Sequence, residues 1–109
     1  MKGTLMKPVV WIGLIEVRPQ PGNDSFGSAK GGYVNVLALA RSRQEYEKAV
    51  QLELHSLRFD VGEIEDPEPL QDRLSRVHVD PALQELGKEV EASGAARCGT
   101  FHTFAEEGD

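Results

Sequence analysis

Two stretches of the chain are apolar at every position of an extended segment, Val9-Val10-Trp11-Ile12-Gly13-Leu14-Ile15 and Val34-Asn35-Val36-Leu37-Ala38-Leu39-Ala40, with Asn35 the one polar residue. Successive side chains of a strand point to opposite faces, so a sheet wetted on one side should alternate apolar and polar residues. These segments do not alternate. Both faces of the sheet they build must be covered, and the helices legible elsewhere suffice for one face, so a second copy of the chain is the expected cover of the other.

At 109 residues the chain reads as a single domain, 1–109, able to bury roughly 60–70% of its unfolded surface around a core without covalent staples. Its net charge of −6 argues against nucleic acid, because phosphate binding needs clustered Lys and Arg. The lone Cys98 excludes an internal disulfide and fits a reducing compartment, with the cytoplasm as the expected location. The apolar run after Lys7 is closed by Glu16 and Arg18. It lacks a small-residue cleavage site and is too short to span a bilayer, so no membrane association is expected.

Residues 9–17 and 32–40 read as two paired strands, the first ended by Pro19, Pro21 and Gly22. Their connection is Gly-rich, with Gly22, Gly27, Gly31 and Gly32, and Gln20 to Gly31 is expected to be mobile. Lys30 among these glycines is no phosphate loop, since the segment feeds a strand and lacks the Gly-x4-Gly-Lys-Ser/Thr spacing. Ser42 with Glu45 forms a capping box. It opens a helix whose stripe is Tyr46, Val50, Leu54 and Leu57. Phe59 to Ile64 reads as a third strand, with a bulge at Gly62 because Ile64 otherwise falls on the wrong face, and Pro67 and Pro69 end it. Leu70, Leu74 and Val77 suggest a short helical turn. Asp80 as N-cap, Pro81 at the first helical position and Gly94 as terminator bracket a second helix with Leu83, Leu86 and Val90 inward. Cys98 to Phe104 reads as the final strand. Residues 1–7 and 105–109 read as flexible ends.

This order predicts an α+β fold: a two-layer sandwich, ferredoxin-like in character, with a four-stranded, mostly antiparallel or mixed sheet carrying two to three helices on one face. Crossovers that advance in one direction place their helices on the same side.

No catalytic motif emerges. Cys98 and His102 share a face of an uninterrupted strand but lie about 13 Å apart, too far for a nucleophile and its base. His55, His78 and His102 lack metal-ligand spacing, so neither a metal nor a cofactor is expected. Glu63, Glu65, Asp66 and Glu68 form the densest acidic ridge. Carboxylates at a strand edge discourage edge-to-edge pairing, so the ridge is expected to be a solvated surface or a contact for a basic protein, with Arg73 and Arg97 as its internal counter-charges. Trp11, Tyr33, Asn35 and His102 are the candidates for an interface or for a pocket between subunits. The sequence therefore supports a small acidic protein acting through self-association, as a homodimer or larger, with a basic protein as a further partner. The alternative is a small-molecule enzyme or ligand carrier with a pocket between subunits, as in dimeric α+β barrel proteins.

Overall fold

The structure is a computed structural model that describes residues 7–104. The expected flexible ends, 1–7 and 105–109, lie outside those residues apart from Lys7. Its strands are β1 (Val9–Pro19), β2 (Gly31–Ala40), β3 (Phe59–Pro69), β4 (Arg97–Cys98) and β5 (His102–Phe104). Its helices are α1 (Arg43–Ser56), α2 (Leu70–Leu74) and α3 (Pro81–Ser93). One antiparallel sheet runs in the order β3-β1-β2-β4, and β5 also pairs with β2.

The apolar strands are the centre of this sheet. β1 and β2 pair without interruption from Val9↔Ala40 to Val17↔Gly32. Ile15 and Val17, with Val34, Val36, Ala38 and Ala40, lie under Tyr46, Val50 and Leu54 of α1 in one core. Ile12 and Leu37, which point the other way, lie against Leu70, Val79 and Val90 in a second core. The sheet thus separates two cores, with α1 on one face and α2 and α3 on the other.

This corrects the expectation of two layers with one bare face, and with it the ferredoxin-like character and the argument that a second copy must cover the sheet. The reason is strand order. β3 docks outside β1, whereas β4 docks outside β2, so the connection through α3 recrosses the sheet in the direction opposite to that through α1. The face it would have shared is already occupied by α1.

Local chemistry builds these elements. The Ser42 hydroxyl accepts from Glu45 N at 3.2 Å, while the Glu45 carboxylate returns to Arg41 N at 2.9 Å, a capping box displaced by one residue. Leu57 is the helix cap and 43% exposed, so it leaves the expected stripe. The Tyr46 hydroxyl donates to Val36 O at 2.6 Å beneath the sheet, and its ring stacks on Trp11 with centroids 6.0 Å apart. That closeness requires Gly13, where a Cβ would stand 2.9 Å from the tyrosine oxygen. Asp80 accepts from Ala82 N at 2.8 Å, and Gly94 closes α3 in the left-handed region at φ 78°. Val77 is 52% exposed, and Val79 fills the second core in its place.

The connection 20–30 is anchored, contrary to its expected mobility. Asn23 Nδ2 donates to Arg58 O at 2.8 Å, its Oδ1 accepts from Ser25 N at 3.0 Å, and Phe26 packs against the stacked pair Phe59 and Phe101 with centroids 5.1 and 5.6 Å away.

Candidate functional site

The acidic ridge lies on β3, an edge strand. Ile12↔Glu68 and Leu14↔Glu65 pair across two β1 residues against three on β3, and Ile15↔Ile64 and Val17↔Val61 do so again. There are therefore two bulges, one at Gly62–Glu63 as expected and one at Asp66–Pro67. The first returns Ile64 to the face of Phe59 and Val61. The second carries the strand past Pro67 to Pro69, with Asp66 in the left-handed region at φ 48°, a conformation Asp adopts more readily than most residues. β3 consequently has two characters: Phe59, Val61 and Ile64 face α1, and Asp60, Glu65 and Glu68 face the other way.

On that second face Glu63, Glu65, Asp66 and Glu68 line an open groove floored by Leu14 and Asn35 and walled by Arg73 and Val79. The four carboxylates are not equivalent. Glu68 accepts from Arg73 Nε at 2.6 Å and from Arg76 Nη2 at 2.7 Å, with only 18% of its side chain exposed. The Arg73 hydrogen bond holds its pKa below the ordinary carboxylate value, against a smaller opposing effect of burial. Arg73 Nη2 also donates to Asp66 O at 2.8 Å, clamping the second bulge. Glu63, Glu65 and Asp66 have no cationic partner among the described residues. Glu68 is thus a structural carboxylate, and the four acids of the ridge set against Arg73 and Arg76 leave a net negative charge that falls on the side of Glu63, Glu65 and Asp66. Arg73 plays the expected part of counter-charge, whereas Arg97 pairs with Glu89 at 3.5 Å. Arg76 is a further counter-charge outside the sequence reading, although its position three residues after Arg73 puts both on one side of a helical turn.

Of the four interface candidates, three come together. Tyr33 and His102 are register partners, and Asn35, two residues along β2, shares their face. Tyr33 packs on Phe104 at 5.5 Å, and Arg18 stands over the same ring at 5.8 Å. Tyr33 and Asn35 are half-buried and His102 is exposed. Trp11 belongs to the opposite core, beneath α1.

The final strand is broken. β4 pairs at Val36↔Cys98 and β5 at Tyr33↔His102, so three steps on β2 answer four on the partner. This irregularity puts Cys98 and His102 on opposite faces, correcting their expected common face. Burial pushes the Cys98 thiol up to about 11, with a smaller contribution from Glu53, so it is protonated and unreactive at neutral pH. His55 Nδ1 lies 3.4 Å from Gln20 Nε2. Among the described residues no group of three or more His, Cys, Asp or Glu is placed to hold a metal ion, no polar or charged residue is fully buried, and no helix is long and apolar enough to cross a membrane.

No known protein family, curated protein or solved structure matches this chain.

Proposed function

We propose that this protein acts by association, with the acidic groove along β3 as its contact surface and a basic protein as its partner. One observation carries the reading: Glu63, Glu65 and Asp66 stand together without cationic partners among the described residues, beside a fourth carboxylate that two arginines neutralise. Solvated edge carboxylates can discourage edge pairing without any counter-charge, so it is the gathering of the three in one groove, beside a carboxylate that is ion-paired, that supports a contact role. A surface that recruits a basic partner leaves charge unbalanced, since complementary potentials steer encounter and select against wrong partners. The open shape of the groove and the exposure of Glu63 and Asp66 suit a macromolecular contact better than a small-molecule pocket, which typically encloses its ligand.

The test is titration with an acetylated and amidated octalysine, followed by amide shifts in 15N-labelled protein. Binding is expected to shift residues 63–66, to weaken steeply with salt, and to fall at least tenfold in the triple variant Glu63→Gln, Glu65→Gln, Asp66→Asn. Salt-independent binding, or shifts confined to other surfaces, overturns the reading.

A second reading, a homodimer, is favoured by the half-buried cluster of Tyr33, Asn35 and Phe104 on the part of the second sheet face that the α2–α3 core does not include. Sedimentation velocity at micromolar concentration tests it. A dimer lost on His102→Glu, an exposed change, without a shift in melting temperature supports this reading, and a monomer at all concentrations removes it.

A further inference from the structure

We propose that the open edge of β3 takes up an extended segment of the partner as an additional strand, and that this segment alternates apolar and basic residues. The inference rests on the association reading and adds how the partner binds and what pattern it must carry.

β3 ends the strand order, so one side of its backbone has no neighbouring strand among the described residues. An unpaired edge is a template for strand addition: main-chain hydrogen bonds supply affinity, and alternate side chains supply specificity. The two faces of β3 dictate what an added strand would meet. Toward α1 it would lie beside Phe59, Val61 and Ile64, next to a groove of about 490 Å³ whose rim includes Leu52, 70% exposed. Toward the other face it would lie beside Asp60, Glu65 and the unpaired carboxylates of the acidic groove. Directly opposed side chains on neighbouring strands interact pairwise, so apolar residues are favoured on the first face and Lys or Arg on the second. Pro67 and Pro69 donate no backbone hydrogen bond, and the bulge at Gly62–Glu63 interrupts the ladder, so the usable edge is 59–61 and 64–65, with an added strand spanning the bulge as β1 does on the other side.

Charge decides between the two simplest occupants. A second copy added antiparallel through β3 would set the acidic face of one strand, Asp60 and Glu65, against the acidic face of the other, and like charges directly opposed destabilise a strand pair. A basic segment meets the same carboxylates with opposite charge. The exposed Leu52 is accounted for by the apolar half of the alternation.

The experiment compares two blocked octapeptides of equal composition and charge, one in which lysine and valine alternate and one in which a block of lysines precedes a block of valines, with octalysine as the charge-only probe. Binding and amide exchange are read on 15N-labelled protein. The alternating peptide is expected to bind at least tenfold more tightly than the block peptide and to slow exchange of amides within 59–65. Leu52→Asp, an exposed change that leaves the core intact, is expected to remove most of that preference, and Glu65→Gln to weaken binding and lower its salt dependence. Equal affinity of the two octapeptides with octalysine also bound overturns strand addition while the association reading stands. Failure of all three peptides overturns both. Slowed exchange in 59–65 that rises with the protein's own concentration assigns the edge to a second copy and overturns the choice of partner.

Discussion

Glu68 shows how much a single carboxylate's role depends on its neighbours. In the sequence it is one of four similar acids, and replacing it would be expected to cost no more than about 0.5 kcal/mol, as for a solvated surface charge. Held by Arg73 and Arg76 and largely shielded from water, it is expected to cost about 1 kcal/mol on replacement with Gln, because charge-assisted hydrogen bonds are roughly twice as strong as neutral ones. Glu65→Gln should remain within about 0.5 kcal/mol. Because the folded-state pKa of Glu68 lies below its ordinary 4.5, its contribution is present above that pH and is lost as pH falls through the folded value. Urea midpoints of the wild type and Glu68→Gln should therefore differ at pH 7 and converge as the pH falls below the folded-state value of Glu68. Cys98 works in the opposite sense. Its folded pKa, about 11 against an ordinary 9.0, means that the unfolded chain ionises first, so stability holds below about pH 9 and declines as pH rises toward 11. Cys98→Ala should flatten that decline, and a profile unchanged by the substitution would contradict the burial of the thiol. Tyr46, whose hydroxyl burial likewise raises, adds to the loss above pH 10.

At the scale of elements, what the sequence conveyed depended on how local the cause was. The Ser42 and Asp80 caps, Gly94, and the bulge at Gly62 each arise from a few adjacent residues and were legible. The side on which each helix lands was not, because it follows from whether β3 joins β1 or β2, a choice made by contacts between residues dozens of positions apart. The same limit hid the break between β4 and β5, the pairing of Arg76 with Glu68, and the separation of Trp11 from Tyr33, since each is a matter of register rather than composition. The connection 20–30 differs from its sequence reading for another reason. Its glycines signal conformational freedom, but Asn23 binds the carbonyl of Arg58 from across the sequence. Asn23→Ala is expected to cost about 1 kcal/mol and to speed amide exchange in residues 21–29. Exchange already fast throughout that segment in the wild type would contradict the anchoring. Arg58 itself holds φ 70°, which an L-residue other than Asn or Asp adopts at a cost of roughly 1–2 kcal/mol. Arg58→Gly should therefore be neutral or raise the melting temperature despite the guanidinium contact to Pro21 O at 3.4 Å.

For the molecule as a whole, the division into two cores has a temporal side. The buried residues of the first core fall between Ile15 and Phe59, whereas the second is incomplete until Val79 and Val90 are in place. As the chain leaves the ribosome, α1 can close over its face of the β1–β2 hairpin while Ile12 and Leu37 on the reverse side still await α3. Domains and their parts generally assemble in the order of synthesis when contacts allow it. The nascent protein is thus expected to pass through a stage with one side formed except for the contacts of Ala96, Cys98 and Phe101 and with the other side sticky, and amides of α1 should exchange more slowly than those of α3 in the mature protein. It is in that interval, before the last third of the chain arrives, that a chaperone would find most to hold.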